Sequence, residues 1–278
     1  MNLKVNFYTS ISKFIFLINF YYLKKINIFL PGTGFFLRQI KRKFYFTYNN
    51  FKLEFVPSMA SVYGGVVSGH TNEIETLNYL NNISINLTNY TFIDVGSCIG
   101  EFVFSNITRT ALCTIAIDAN IHACECIKKG VIINNINNVI VLNNAVSIKN
   151  NDIIDYFLDI KNPNESSIIS SYKMKDIEKI TINSISLDSI KDKIQGSNLV
   201  ILIDVEGAEL NVFKGAREII EQYKPIIIFE YNYVSSKQFS LTDISEQLPI
   251  GYNFYNLDDK LLLQSENTWN IVAKFSKI

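Results

Sequence analysis

The chain has 278 residues, enough to bury the core of one α/β domain with an appendage but cramped for two complete domains. Its formal charge is zero, yet no acidic residue precedes Glu54 while nine lysines and arginines do, which leaves 17 basic against 26 acidic residues beyond. An acidic remainder repels phosphate and argues against a nucleic-acid substrate; four cysteines (Cys98, Cys113, Cys124, Cys126) without metal-ligand spacing argue for reduced thiols and a cytoplasmic setting.

In chain order, the basic leader carries the run FIFLINFYYL from Phe14 to Leu23, interrupted by Lys24 and Lys25. It is too short to span a bilayer, and Tyr21 and Tyr22 stand where a cleaved signal needs small residues. Two readings stay open: peripheral contact with an anionic membrane face, or an extension packed on the domain. Phe44 to Val56 alternates around Asn49 and Asn50 as a hairpin does. Ser58 to His70 is loop-like with Gly64, Gly65 and Gly69, which makes His70 a candidate lid residue and a candidate catalytic histidine. Glu73 to Asn81 reads as a helix leading into the first parallel strand.

The most informative stretch is TFIDVGSCIGEF, Thr91 to Phe102. A non-alternating apolar run ends on Asp94, as a strand buried on both faces would. Gly96 and Gly100 then permit backbone angles and close approaches that a Cβ blocks, and a helix starting near Gly100 would aim free N–H groups at a carboxylate or phosphate. The spacing lacks Gly-x-Gly-x-x-Gly and Gly-Lys-Ser/Thr, which disfavours a nicotinamide-dependent oxidoreductase or a P-loop enzyme. A second strand, Leu112 to Ile117, ends at Asp118, placed to bond the two hydroxyls of a ribose or else to cap the helix Ile121 to Val131.

A strand at Val139 follows, then an interval that inserts two β-like segments, Ile153 to Ile160 and Lys179 to Leu187. They read as an added antiparallel hairpin whose loop, NPNESSIISS, lines an acceptor pocket. LVILIDVEGAEL, Leu199 to Leu210, is another buried strand ending in Asp204, Glu206 and Glu209 around Gly207. Carboxylates gathered at a strand's C-terminal end can raise one another's pKa and serve as a base, or hold a divalent cation, and Glu206 and Glu209 can also cap a helix Glu209 to Tyr223. No residue is assigned as a metal ligand. A strand at Pro225 and an antiparallel pair, Gly251 to Leu257 and Asn270 to Ser276, complete an open, mostly parallel sheet.

In order and spacing, TFIDVGSCIGEF, AIDAN (Ala116 to Asn120), NNAVS (Asn143 to Ser147), ISLDSI (Ile185 to Ile190), ILIDVEGAELNVFKGA and KPIIIFE resemble the FkbM family of S-adenosylmethionine-dependent methyltransferases. The match runs from about Glu73 to Glu230. It departs from the family pattern at Ser97, Cys98, Asp118 and Ile121, and Leu202 stands where the family commonly has lysine.

The resemblance implies a seven-stranded, mostly parallel, doubly wound sheet in a domain spanning 44–278, behind an extension of residues 1–43. Within that domain, 44–90 form the hairpin, loop and helix, 91–230 the cofactor core, and 231–278 a helix and strand pair. It further implies methyl transfer to a hydroxyl on a saccharide, lipid-linked glycan or related small molecule. Asp94, Gly96, Ser97, Gly100 and Glu101 would hold the methionine half of the cofactor, Asp118 with Ala119 and Asn120 the ribose, and Asn144 and Ala145 the adenine. Asp204 and Glu206 are the candidates for base or acceptor positioning. The competing reading is a membrane-attached binding protein that kept the fold and lost turnover.

Overall fold

The computed structural model describes residues 14, 45–59, 62, 66, 73–160, 163–169, 176–262 and 269–276. The lid histidine, His70, lies outside the described residues, as does the basic leader apart from Phe14, and with it the membrane-interface reading. Among the described residues no helix is long and apolar enough to cross a membrane.

The hairpin forms where the alternation predicts it. β1 (Tyr45–Tyr48) pairs antiparallel with β2 (Phe51–Glu54), and Asn49 and Asn50 both take left-handed φ at the two-residue turn. Phe46, Tyr48, Phe51 and Leu53 are buried, on the side that meets the helix Ile121–Ile133. α1 (Ile74–Asn86) follows, longer than the apolar spacing alone indicates, and leads into β3 (Tyr90–Val95), all six of whose residues are buried.

The expected helix near Gly100 is a correction: turns occupy 98–104, and α2 (Asn106–Thr110) is short. β4 (Cys113–Asp118) leads to α3 (Ile121–Ile133), which is capped by Asn120, whose Oδ1 accepts from the His122 N–H at 3.0 Å. β5 (Val139–Asn143) ends the parallel run on that side. β6 (Ala145–Val146) pairs parallel with β8 (Ile177–Ile185), and β8 pairs antiparallel with β7 (Ile153–Asp159). The inserted hairpin is thus part of a small three-stranded sheet, with a strand that the sequence pattern does not reveal.

β9 (Asn198–Ile203) precedes a segment read as one helix, which is two: α4 (Glu209–Lys214) and α5 (Arg217–Tyr223). The break has a physical cause. Asp188 donates its N–H to the Gly215 carbonyl at 2.9 Å, and its carboxylate accepts from the N–H groups of Glu218 and Ile219 at 3.2 and 3.0 Å, so it caps a new helix. A Cβ on Gly215 would stand 2.2 Å from the Ser147 carbonyl oxygen, so only glycine passes there. β10 (Ile226–Glu230), α6 (Ser235–Gln238), α7 (Leu241–Ser245), β11 (Tyr252–Tyr255) and β12 (Asn270–Phe275) complete the chain.

The seven-stranded sheet has the order β11-β12-β10-β9-β3-β4-β5, parallel except for β11 and β12, which run antiparallel to their neighbours. Ile93, Val95, Ile201 and Phe229 point to one face, with Phe213, Ile219 and Ile220 from α4 and α5. Tyr90, Phe92, Val200 and Ile228 point to the other, with Leu77 and Leu80 from α1 and Ile107 from α2. The sheet is therefore doubly wound, and each of these fully buried side chains contributes about 2 kcal/mol over an exposed one. Leu202 belongs to the second core at 1% exposure, packed with apolar neighbours.

Candidate active site

The C-terminal ends of β3, β4, β9 and β10 open on a cavity of about 370 Å³. Small-molecule sites run from roughly 300 Å³ upward and favour this end of a parallel sheet. The cavity brings together Gly96, Ser97, Glu101, Asp118, Ala119, Asn120, Asn144, Ala145, Asp204 and Glu206. Segment 163–168, in the loop between β7 and β8, lines it through Ser166, Ser167 and others, as the insertion suggests.

The first wall is the turn after β3. Gly96 and Ser97 both donate their N–H to the Ile117 carbonyl, at 2.8 and 3.2 Å, which folds the turn over β4. The Ser97 hydroxyl donates to the Asp94 carbonyl at 2.6 Å and accepts from the Ile117 N–H at 2.9 Å. Ser97 therefore supports the turn with its side chain. Gly96 has φ +86, and a Cβ there would lie 1.7 Å from the Asp204 carbonyl oxygen, so the turn can meet the loop after β9 only as glycine. Gly100 does not line the cavity; a Cβ there would meet the rings and methylenes of Phe104 and Ile127, which makes it a packing position.

Asp118 is fixed from two sides. Oδ2 accepts from the Cys98 N–H and Oδ1 from the Asn120 N–H, each at 2.7 Å, so each oxygen keeps a lone pair for a further donor. Burial pushes its pKa up to about 6, against the lowering effect of those two N–H groups. Asp94 is 1% exposed, does not line the cavity, and has an Oδ2 without a hydrogen-bond partner. Burial, then the nearby charges of Asp118, Glu73 and Glu101, push its pKa well up.

Glu209 is the carboxylate that the cluster reading misplaces. It is fully buried and turns away from the cavity: Oε1 accepts from the N–H groups of Val205 and Gly207 at 3.2 and 3.1 Å, and Oε2 from the Ser235 hydroxyl at 3.0 Å. It holds the loop that presents Glu206, whose φ of +53 is costly for a residue with a Cβ. Backbone strain of this kind concentrates at functional positions.

Two carboxylates escape the sequence reading. Glu73, just before α1, lines the cavity and accepts from Asn270 Nδ2 at 3.2 Å; burial pushes its pKa up, against the lowering effect of Asn270. Glu230, the last residue of β10, also lines the cavity; burial, then Glu206 and Glu209, push its pKa up to about 8. Only KPIIIFE, an apolar strand ending on an acid, hints at it in the sequence. Burial, then the charge of Glu230 and its acidic neighbours, likewise push Asp204 well up. Trp269, 62% exposed, stands at the cavity, anchored by its carbonyl on the Tyr231 N–H at 2.9 Å. Among the described residues that line the cavity there is no lysine, arginine or histidine.

The sequence profile described as the methyltransferase FkbM domain matches residues 94–261, more than half of the chain. The chain belongs to the FkbM methyltransferase family. Its cofactor is S-adenosylmethionine, a sulfonium cation, and the site fits it: an acidic cavity without described basic side chains and two spare acceptor positions on Asp118.

Similar solved structures include an FkbM methyltransferase of Methylobacillus flagellatus (16% identity, TM-score 0.46, covering 79% of this chain and 54% of that one). A precorrin-6y C5,15-methyltransferase of Geobacter metallireducens is another (11%, 0.40, 74% and 89%), as is the TYW2 protein of M. jannaschii in complex with AdoMet (12%, 0.40, 85% and 87%). The chain spans about half the length of the first of these. No curated protein sequence matches the chain.

The buried carboxylates make the apoprotein's stability depend on pH. Burial, then the charge of Glu73, raise Glu101 from 4.5 to about 8, and burial raises Asp118 from 3.8 to about 6. In both cases the folded pKa lies above the unfolded one, so the folded chain holds protons that the unfolded chain has lost. The stabilisation is present in full below the unfolded values and is lost as pH rises through about 6 and then about 8. The apo melting temperature should therefore fall between about pH 5 and about pH 8, by an amount on the order of several kcal/mol in stability. Calorimetry at constant ionic strength checks this, and a flat or rising profile would show that these groups titrate normally.

Proposed function

We propose that this FkbM domain transfers the methyl group of S-adenosylmethionine to a hydroxyl oxygen of a saccharide or lipid-linked glycan. The observation that carries the reading is one cavity joining a two-point ribose acceptor, Asp118, to the carboxylates Asp204, Glu206 and Glu230. Carboxylates bond sugar hydroxyls directly, and the half-exposed indole of Trp269 beside them offers an apolar face to a sugar ring.

When bound, the cofactor supplies an electrophilic methyl on a positively charged sulfur. Asp118 would bind the ribose hydroxyls through the lone pairs left by its two backbone donors. Gly96, Ser97 and Glu101 would hold the methionine half, with Asp94, outside the cavity, supporting their turn through its carbonyl; Ala119 and Asn120 would flank the ribose, and Asn144 and Ala145 the adenine. Asp204 and Glu206 would position the acceptor hydroxyl and take up the proton it loses on methylation. Segment 163–168 and Met59 add to the wall of the cavity.

The test is incubation of cell extract with the chain and methyl-labelled S-adenosylmethionine. Label should appear as an alkali-stable methyl ether in a saccharide-bearing fraction. Asp118→Ala should need about tenfold more cofactor for the same yield, equivalent to about 1.4 kcal/mol for two lost hydroxyl contacts. Label on nitrogen, or an Asp118→Ala chain that is saturated at the same concentration, would overturn the acceptor class or the ribose site respectively.

A further inference from the structure

We propose that Asp204, Glu206 and Glu230 bind a divalent cation of the magnesium or manganese class, which coordinates the acceptor's hydroxyl oxygens. This rests on the methyltransferase reading, deepens it, and uses the same cavity. One carboxylate oxygen from each of the three residues lies within 4.8 Å of the others. Oxygens that share one ion at about 2.1–2.4 Å stand no farther apart than that.

The chain delivers the three groups from separate directions. β9 and β10 are adjacent and parallel with Ile203 beside Phe229, so Asp204 and Glu230 leave neighbouring strand ends side by side. Glu206 comes from the strained loop that Glu209 holds.

A second observation separates this set from an ordinary acidic cluster. Glu230 is 3% exposed and lines the cavity, yet its Oε2 has no hydrogen-bond partner. Two residues on, Asn232 fixes the loop that follows: its Oδ1 accepts from the N–H groups of Val234 and Ser235 at 2.6 and 3.1 Å. A carboxylate at a fixed strand end that lines the cavity, with one oxygen buried and bare, has a coordination position to offer a cation. Without a cation that oxygen carries an uncompensated desolvation cost.

Charge points the same way. Glu73, Glu101, Asp118, Asp204, Glu206 and Glu230 all line the cavity, against which the sulfonium cofactor supplies one net positive charge. Three oxygen donors with no sulfur or imidazole among them suit a hard cation and leave coordination positions for the acceptor.

Manganese is the probe, followed by electron paramagnetic resonance on the full chain, with S-adenosylhomocysteine binding measured separately by calorimetry. One manganese per chain should bind saturably and be displaced by magnesium. Glu230→Gln and Glu206→Gln should each weaken it about tenfold or more while S-adenosylhomocysteine still binds. If Glu230→Gln fails to bind S-adenosylhomocysteine, and so is misfolded, Glu206→Gln on the surface loop decides alone. No saturable binding, or manganese affinity unchanged in Glu206→Gln, overturns the proposal and leaves shared protons as what balances the cluster. Methyl transfer at full rate in excess chelator would also refute the cation while leaving the methyltransferase reading intact; failure to bind S-adenosylhomocysteine would strike that reading and not this one.

Discussion

Replacing Gly96 by alanine should cost roughly 4 kcal/mol or more, the sum of an overpacked contact and a left-handed backbone angle, and leave little folded protein. The new Cβ would lie 1.7 Å from the carbonyl oxygen and 2.8 Å from the carbonyl carbon of Asp204. Both are backbone atoms in a loop already fastened, because Asp204 donates its N–H to the Val95 carbonyl at 2.9 Å and Glu209 grips the N–H groups of Val205 and Gly207. No rotamer change relieves such a clash. Gly207 provides the control: its φ is +99, but the nearest atom to an added Cβ is a Val234 methyl at 3.2 Å, so Gly207→Ala should lose stability through conformation alone. Denaturant midpoints of the two variants check this, and a Gly96→Ala chain no less stable than Gly207→Ala would mean that the loops after β3 and β9 do not touch as described.

The second large effect belongs to the acidic cluster. Asp204→Asn and Glu206→Gln should each depress methyl transfer roughly 100-fold or more, the usual worth of a positioned proton acceptor. Cofactor affinity should stay within a few fold, because neither side chain holds the β3 turn or Asp118. Single-turnover rates with labelled cofactor separate chemistry from binding. If both variants turn over normally, the cluster is structural, and the proton must leave by another route, with His70 the next residue to examine.

Glu209→Gln is expected to behave differently from those two. Its carboxylate binds two loop N–H groups and a buried hydroxyl, so a change there alters the position of Glu206 and is felt through folding before chemistry. IDVEGAEL alone makes Glu206 and Glu209 look alike, three residues apart at a helix start. The direction in which each points is set by the left-handed angle at Glu206 and by Ser235, which comes from a different helix.

Residues near in the chain were legible without coordinates. Asn49 and Asn50 tolerate the left-handed turn that pins the hairpin register, and unbroken apolar runs at β3, β4 and β9 announce strands covered on both faces. Each run ends in an acid because a parallel strand's C-terminal end is where the chain leaves the core, so Asp118 and Asp204 reach the cavity. Local pattern was enough for these because strand period, turn chemistry and burial all operate over a few residues. Glu73 and Glu230 joined the site only through tertiary structure: one precedes α1 and is held by Asn270 from β12, and the other ends a strand that comes next to β9 only through sheet order. The same holds for the split between α4 and α5, imposed by Asp188 and the Ser147 carbonyl from elements far away in sequence. Sequence pattern determines which segments are buried and where strands end; which side chains meet across those ends depends on strand order and loop packing, and these are set by contacts between segments that no local period encodes.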